Sequence, residues 1–190
     1  MRVVVLLSVF CLIFTVSCST NDDPSGIRLS SFEKGLIPFD SEVVLEFTDQ
    51  DGETLSVQAG ARQQDEVFAS SSGSNPVALE QLSNQIVVPA ASMDFVIQVG
   101  KTIDGKTNFL IREQVTQQSF NATSCETRVS DLAEYRTDLL IGETMYPEVF
   151  DFVTCNSNED AGLEINRIIY SAARGIEYIE FGNGHFLRQL

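Results

Sequence analysis

The sequence predicts a mainly β domain: an antiparallel sandwich or partly closed barrel built from hairpins, with one or two short helices. Apolar and polar residues alternate in several short stretches, which is the period of a strand that buries one face. Gly-containing turn sequences separate these stretches at hairpin spacing. With 43% hydrophobic residues among 190, the chain can bury a core, and one compact domain is expected.

Two predicted hairpins turn at an Asp-Gly pair, a sequence that favours the positive φ angles of tight hairpin turns. The alternating stretches lie on both sides of these pairs: residues 43–48 and 54–59 flank Asp51-Gly52, and residues 95–99 and 109–111 flank Asp104-Gly105. We therefore expect two antiparallel strand pairs in the first two thirds of the chain.

Two further hairpins are predicted toward the C-terminus. Residues 138–141 turn at Gly142 into a second stretch, residues 145–154. The apolar-rich run of residues 165–181 returns through a Gly-Asn-Gly turn to residues 186–190. Because Gly175 lies in the middle of that run, we expect the strand to bend or bulge there.

The stretch of residues 62–92 has a different character. A Ser-rich segment at residues 70–74 has the composition of a loop, and Asn75-Pro76 has the features of a helix N-cap and first helical residue. Apolar residues then follow at helical spacing: Leu79, Leu82 and Ile86. This pattern predicts a short helix over residues 76–85.

Two shorter segments leave alternatives open. Val87 and Val88, directly before Pro89, fit an edge strand as well as the end of that helix. Residues 129–133 fit either one helical turn or an irregular loop that crosses the fold.

The amino terminus has the pattern of an export signal. Arg2 supplies a cationic start, and the apolar run of residues 3–14 is too short to span a hydrocarbon layer of ~30 Å. The small Ser17 directly before Cys18 is typical of a bacterial lipoprotein cleavage site, in which the cysteine thiol carries diacylglycerol. Cys11 does not fit this role, because the bulky Phe10 precedes it.

Three segments are therefore expected. Residues 1–17 are predicted as a lipoprotein signal peptide, and residues 18–27 as a flexible tether that is polar and rich in turn residues. Residues 28–190 are predicted as a single β-rich domain. An ordinary secreted protein that keeps Cys18 unmodified is the alternative.

The charge balance excludes one class of partner and fits the predicted anchor. The chain has 27 Asp and Glu against 12 Lys and Arg, a formal net charge of -15. Nucleic-acid binding needs clustered cations, so no nucleic-acid partner is expected. Loss of residues 1–17 would remove one cation, Arg2, and no carboxylate. A surface this acidic repels anionic lipid headgroups. We therefore expect acyl chains, rather than a basic face, to hold the protein at a membrane.

Two cysteines remain once Cys11 is removed and Cys18 is lipidated. Cys125 and Cys155 are thirty positions apart, each near an apolar stretch, and export would place them in an oxidising compartment. A disulfide between them is predicted, with two buried free thiols as the alternative. The closed loop would contribute about 3.5 kcal/mol to the free energy of unfolding.

Several stretches of the chain resemble the small β-rich outer-membrane or surface lipoproteins of the Bacteroidota. The residues that carry the resemblance are the acidic, Ser-rich run 19–24 after Cys18, the opening stretch 36–39 leading into 43–47, the stretch 141–146 with Val149 and Phe150, and the terminal Ile168-Ile169-Tyr170, Arg174-Gly175-Ile176 and Phe186-Leu187. The Trp common near the end of such chains does not occur here. The resemblance implies a fold and a location at the outer membrane, surface-exposed or facing the periplasm, but no activity.

The residues that usually carry catalysis or metal binding are scarce. His185, the one histidine, follows a Gly-Asn-Gly turn and is expected to be an exposed hairpin residue. Residues 156–167 begin with the acidic spacing of a calcium loop, but Ala161 replaces the required Gly and Arg167 the closing Glu. No metal site, cofactor or catalytic residue is predicted.

The sequence thus predicts a membrane-anchored exported lipoprotein that acts as a non-catalytic binding or structural module. One alternative is a carrier for a small apolar ligand, since a curved sheet can enclose a cavity lined by some of the 13 Phe residues. The other is a hydrolase that acts on glycans through paired carboxylates, which leave no fixed spacing in a sequence. A membrane, reached through the lipid anchor, is the expected partner, and the sequence names no protein or glycan partner.

Overall fold

A computed structural model of the chain describes residues 26–70, 75–122, 129–154 and 164–190. The fold is mainly β, with 60% of the described residues in strands and 8% in helices. One sheet contains twelve antiparallel strands: β1 (Val43–Asp49), β2 (Thr54–Ala59), β3 (Gln63–Ala69), β4 (Val77–Val88), β5 (Met93–Lys101), β6 (Thr107–Glu113), β7 (Ser119–Asn121), β8 (Arg136–Ile141), β9 (Thr144–Thr154), β10 (Ile165–Ser171), β11 (Gly175–Phe181) and β12 (Phe186–Gln189). The helical segments are α1 (Ser31–Lys34) and two 3₁₀ turns, Pro89–Ala91 and Leu132–Tyr135.

Ten of the strands close into a barrel. Around the barrel the order is β10-β11-β12-β1-β2-β4-β5-β6-β7-β9, and β9 pairs again with β10. The two remaining strands lie outside the ring, where β3 pairs with β4 and β8 pairs with β9. The prediction of a mainly β fold built from hairpins is therefore confirmed, and a closed barrel is the form that it takes.

Aromatic and aliphatic side chains fill the interior of the barrel. The ring of Phe109 contacts three other aromatic rings edge to face, those of Phe150, Phe152 and Tyr170, at centroid distances of 5.2, 5.1 and 5.4 Å. All four residues are at most 1% exposed. The middle of the barrel is a packed core, in which such aromatic pairs add to the stabilisation from burial.

A second, smaller apolar cluster lies on the outer face of the barrel. It comprises Tyr146, Val149, Ile169 and Tyr178, and the β8–β9 hairpin supplies part of it. Ile168 faces the main core while its neighbour Ile169 faces this second cluster. Both faces of β10 and β11 are largely buried, so apolar residues lie on both sides of these strands and do not alternate strictly with polar ones.

The two hairpins predicted at Asp-Gly pairs are present. β1 pairs with β2, β5 pairs with β6, and β8 pairs with β9 as the third predicted hairpin. Gly52 and Gly105 have φ angles of 83° and 77°. A side chain at either position would be strained, so glycine explains why the chain turns there.

The predicted helix over residues 76–85 is wrong, because this segment belongs to the long strand β4. The side chains that alternate into the interior include Glu80 and Asn84, 1% and 4% exposed. Because these two residues are polar but lie on the buried face, the sequence does not show the alternation of apolar and polar residues that is typical of a strand. Leu79, Leu82 and Ile86 match helical spacing by coincidence. Of the two alternatives for Val87 and Val88, a strand is present, but it is not an edge strand, because Val87 pairs with Gln58 of β2 and with Asp94 of β5.

The run of residues 165–181 is not one bent strand but two strands, β10 and β11, paired as a hairpin with Ser171 opposite Gly175. Gly175 has a φ angle of 76°, and a Cβ atom there would lie 3.1 Å from the ring of Phe39. The glycine therefore marks a turn closely packed by another segment rather than a bulge within a strand. Residues 186–190 return from β11 as predicted, in β12.

Several predictions concern residues outside the described ranges. These are the signal peptide, Cys11 and Cys18, the predicted disulfide partners Cys125 and Cys155, and most of the calcium-like loop. Ile27, which the predicted tether includes, lies in the described part and forms a β-bridge with Leu79 of β4. Among the described residues, none of the helices is long and apolar enough to span a membrane.

Candidate functional site

The two ends of the barrel differ, and one of them is closed by the N-terminal part of the domain. We call this the plug end, and the plug consists of α1 with the residues after it. The α1 helix begins with a capping box, in which the Ser30 hydroxyl accepts from the Glu33 N–H and the Glu33 carboxylate accepts from the Ser30 N–H. Leu36 and Ile37 then insert into the core and are 0% exposed. The Tyr170 hydroxyl donates to the Leu36 carbonyl at 2.5 Å, which ties the plug to the barrel wall.

A buried ion pair holds the plug in place. The Lys101 Nζ atom at the end of β5 lies 2.6 Å from Glu33 Oε1, and their side chains are 12% and 8% exposed. The Thr107 hydroxyl, opposite Lys101 on β6, donates to the same carboxylate oxygen. Burial alone would raise the pKa of Glu33, but the hydrogen bonds from Lys101, Thr107 and Ser30 outweigh it and lower the pKa.

A second carboxylate at the plug end is satisfied in a similar way. Glu80 of β4 accepts from the Leu29 N–H at 2.9 Å and lies 2.7 Å from the Lys34 Nζ atom of α1. Burial opposes ionisation, yet the bonds from Lys34 and Leu29 lower the pKa of Glu80. The Glu33 and Glu80 carboxylates thus serve to fasten the plug.

The chain also enters the described domain at this end. The Ile27 N–H donates to the Ala78 carbonyl at 2.9 Å, and the Ile27 carbonyl accepts from the Glu80 N–H at 3.0 Å. These bonds fix the start of the domain beside the first residues of β4. Any segment that precedes Gly26 is therefore attached at the plug end.

The opposite end of the barrel holds an open cleft of about 440 Å³. Its walls come from the turns between β1 and β2, β4 and β5, β6 and β7, and β11 and β12, together with the start of β10. Half of the lining residues are apolar: Ala91, Met93, Val115, Ile165, Phe181, Phe186 and Leu187. A cleft of this size that combines large apolar side chains with polar groups is typical of a site for a small ligand.

Glu113, the last residue of β6, lies at this cleft and is 0% exposed. Its carboxylate accepts four hydrogen bonds: from the N–H groups of Asp94 at 3.1 Å, Val115 at 3.1 Å and Thr116 at 2.5 Å, and from the Thr116 hydroxyl at 2.6 Å. Burial would raise the pKa of Glu113, but these bonds lower it. Glu113 therefore stays ionised and shapes the β6–β7 turn, which carries Val115.

Two rim residues of the cleft come from hairpin turns. One carboxylate oxygen of Asp49 accepts from the N–H groups of Asp51 and Glu53, each at 2.9 Å, so these hydrogen bonds stabilise the acidic turn. His185 is exposed after the β11–β12 turn, as predicted, and its side chain lies at the cleft rim.

The charges around the cleft are of one sign. Its lining includes Asp49 and the fully buried Glu113, whereas none of the described lining residues is Lys or Arg. Arg112 is exposed between the buried Ile111 and Glu113, so its side chain points away from the interior. Arg167, near the start of β10, is held by Asp151 through bonds of 2.7 and 2.5 Å. The cleft end is thus apolar within and acidic at its rim.

A different groove of about 520 Å³ runs along the outer face of the barrel, where β2 and β4 pair over only two residues. Its lining mixes three polar residues, Glu42, Gln58 and Gln85, with small apolar residues that are valines and an alanine. The cleft at the barrel end is the better candidate site, because its large apolar side chains, such as Met93 and Phe181, would gain more from contact with a ligand.

Three of the four buried glutamates in the described part of the chain, Glu33, Glu80 and Glu113, bear on the possibility of glycan hydrolysis. The general acid of a glycosidase needs a pKa raised toward neutrality. Glu33, Glu80 and Glu113 all have lowered pKa values, since each accepts several hydrogen bonds. None of these three carboxyls therefore has the property that such an acid requires.

The cleft was not predicted from the sequence, because its residues come from five separate segments. Met93, Val115 and Phe181 carry no motif, and only the three-dimensional closure of the barrel places them together. The one available signal is the exposed Val115, an apolar residue in a turn that is otherwise polar.

No group of three or more His, Cys, Asp or Glu side chains that could hold a metal ion occurs within residues 26–70, 75–122, 129–154 and 164–190. Comparison with known proteins adds no assignment for this site. The chain matches no protein-family model, no curated protein and no solved structure.

Proposed function

We propose that this protein is an exported lipoprotein whose barrel is a non-catalytic binding module, with the apolar cleft as its binding site. The observation that carries the proposal is the position of the cleft at the end of the barrel opposite the entry of the N-terminal segment. With acyl chains on Cys18, the plug end would face the membrane and the cleft would face away from it.

The dimensions of the barrel support this arrangement. β5 runs from the cleft end to the plug end in nine residues. At ~3.3 Å per residue and a strand tilt near 40°, the two ends are roughly 20 Å apart along the barrel axis. Surface charges are screened within about 8 Å at physiological ionic strength, so the cleft would lie beyond the field of the headgroups.

The packed interior favours a binding site at the mouth of the barrel over a carrier that encloses its ligand. Phe109 and its aromatic neighbours occupy the middle of the barrel, where a carrier would hold an apolar molecule. The cleft could still take a small apolar ligand near the surface. This geometry supports a module that holds its ligand in a cleft open to solvent, from which the ligand can be released or exchanged.

The proposal includes a disulfide between Cys125 and Cys155. Cys155 directly follows Thr154 of β9, which pairs with Phe120 of β7, and Cys125 lies four positions after Asn121, the last residue of β7. Such a bond would join the segments that follow β7 and β9, two strands that pair over only two residues in the barrel ring. Peptide mapping of the non-reduced protein should find the two cysteines linked, and two alkylatable thiols in the native protein would contradict the bond.

The anchor is tested by fractionation. Full-length protein should be recovered with the membranes of a Gram-negative host, and Cys18→Ala should release it to the soluble fraction. Cys11→Ala is the matched control, because it changes a cysteine within the same predicted signal and should leave the protein membrane-bound. Unchanged partitioning of Cys18→Ala would contradict lipidation and the proposed orientation together.

A further inference from the structure

We propose that the cleft selects amphiphiles that carry a protonated amine on an apolar body. This inference rests on the proposed function and specifies the class of ligand. The apolar walls offer a place for a hydrocarbon or aromatic group, and the negative charges of the half-buried Asp49 and of the buried Glu113 favour one positive charge beside them. Neutral and anionic amphiphiles of the same size would bind less well.

The first step is the unbalanced charge of Glu113. Its four hydrogen-bond donors are three backbone N–H groups and one hydroxyl, all of them uncharged. Within the described part of the chain, Glu113 forms no ion pair. A negative charge thus remains at an apolar cleft, where electrostatic interactions are stronger than in bulk water.

The rim adds negative charge of the same kind. Asp49 lines the cleft, and the turn that follows it contributes Asp51 and Glu53. The carboxylate of Asp49 bonds to backbone N–H groups of its own turn rather than to a cation. An amine at the rim would therefore meet carboxylates without first displacing a Lys or Arg of the cleft.

The plug end differs, because its buried carboxylates have cationic partners; the unbalanced charge of a buried carboxylate is therefore local to the cleft end. At the plug end, Glu33 is paired with Lys101 and Glu80 with Lys34, at 2.6 and 2.7 Å. At the cleft end the corresponding buried carboxylate, Glu113, has no such cation among the described residues. The same distribution would repel decanoate or any other anionic amphiphile, which gives selection against one charge as well as for the other.

Three probes of equal chain length test the selection: decylamine, decanol and decanoate, each below the concentration at which it forms micelles. Titration calorimetry with the full domain at neutral pH should give one site, with decylamine bound at least tenfold more tightly than decanoate and decanol between them. Equal affinities for all three would overturn the charge selection while leaving an apolar binding module intact.

A matched pair of variants locates the site. Val115 in the cleft and Val44 on β1 at the other end are 67% and 69% exposed, so either can be changed to lysine without disturbing the core. Val115→Lys should weaken decylamine binding at least fivefold and reduce the preference over decanoate, whereas Val44→Lys should change neither. If no probe binds, or if Val115→Lys has no effect on binding, the proposed function of the cleft fails as well.

The contribution of the rim is tested by removal of one charge. Asp49→Asn keeps an oxygen that can accept the two turn N–H groups, and it should lower the preference for decylamine over decanoate about threefold. Asp104→Asn removes a charge from a turn at the plug end and should leave the preference unchanged. An equal effect of both variants would show that net charge alone governs binding and would overturn selection at the cleft.

Discussion

The two ends of this barrel use carboxylates in opposite ways. At the plug end, the Glu33 and Glu80 carboxylates are paired with lysines and bonded to the backbone of the N-terminal segment. At the cleft end, Glu113 is held by uncharged donors only, and apolar side chains such as Val115 face solvent. The comparison teaches that buried carboxylates stabilise both ends, but that lysines balance their charge at the plug end, whereas the charge of Glu113 is left unbalanced beside the cleft.

The largest expected effect contrasts packing at the two ends. Leu36→Ala in the plug should lower the free energy of unfolding by about 3 kcal/mol, because the side chain is 0% exposed and leaves a cavity. Val115→Ala at the cleft should change it by less than about 0.5 kcal/mol, because that side chain is mostly exposed. Urea denaturation measures both, and equal losses would break the comparison.

A smaller effect is expected from the ion pair of the plug. Glu33→Gln should cost about 2 kcal/mol, because it leaves the Lys101 ammonium buried without an anionic partner. Lys106→Gln is the control, since its pair with Asp104 is 3.9 Å long and nearly half exposed. If the two substitutions prove equally mild in chemical denaturation, the ion pair does not fasten the plug.

The pH dependence of stability sharpens the comparison further. Glu33, Glu80 and Glu113 have pKa values below the ordinary 4.5, so each contributes stability that is present above pH 4.5 and is lost as the pH falls through its folded pKa. In Glu113→Gln, the free energy of unfolding should decrease less steeply with falling pH than in the wild type. Denaturation between pH 7 and pH 3 measures it, and an unchanged slope would show that Glu113 is not ionised in the fold.

The parts of the fold that sequence predicts well are those with local signals. Alternation on both sides of Asp51-Gly52 identifies β1 and β2, because turn and strands are adjacent in the chain. β4 was missed because the charged Glu80 faces the interior. The free-energy cost of burying its carboxylate is offset by bonds from the N-terminal segment and from Lys34. That compensation comes from residues far away in sequence, which a local pattern does not reveal.

Other features left weak signals or none. Ser30 and Glu33 have the spacing of a capping box, which could have identified α1. β3 gave no strand signal, since its side chains are exposed on both faces and follow no alternation. The cleft depends on barrel closure, which brings the turn after β6 beside the turn after β11, so the apolar Val115 in a polar turn is its only local sign among the described residues.

The most direct test of the central claim measures how far each end of the barrel lies from a membrane. Acylated protein in vesicles would carry a fluorophore at Val115→Cys or at Val44→Cys, with protein lacking the added cysteine as the labelling control. Quenchers attached to lipid headgroups should quench the label at position 44 several times more strongly than the label at 115. Equal quenching, or stronger quenching at 115, would contradict a cleft that faces away from the anchor.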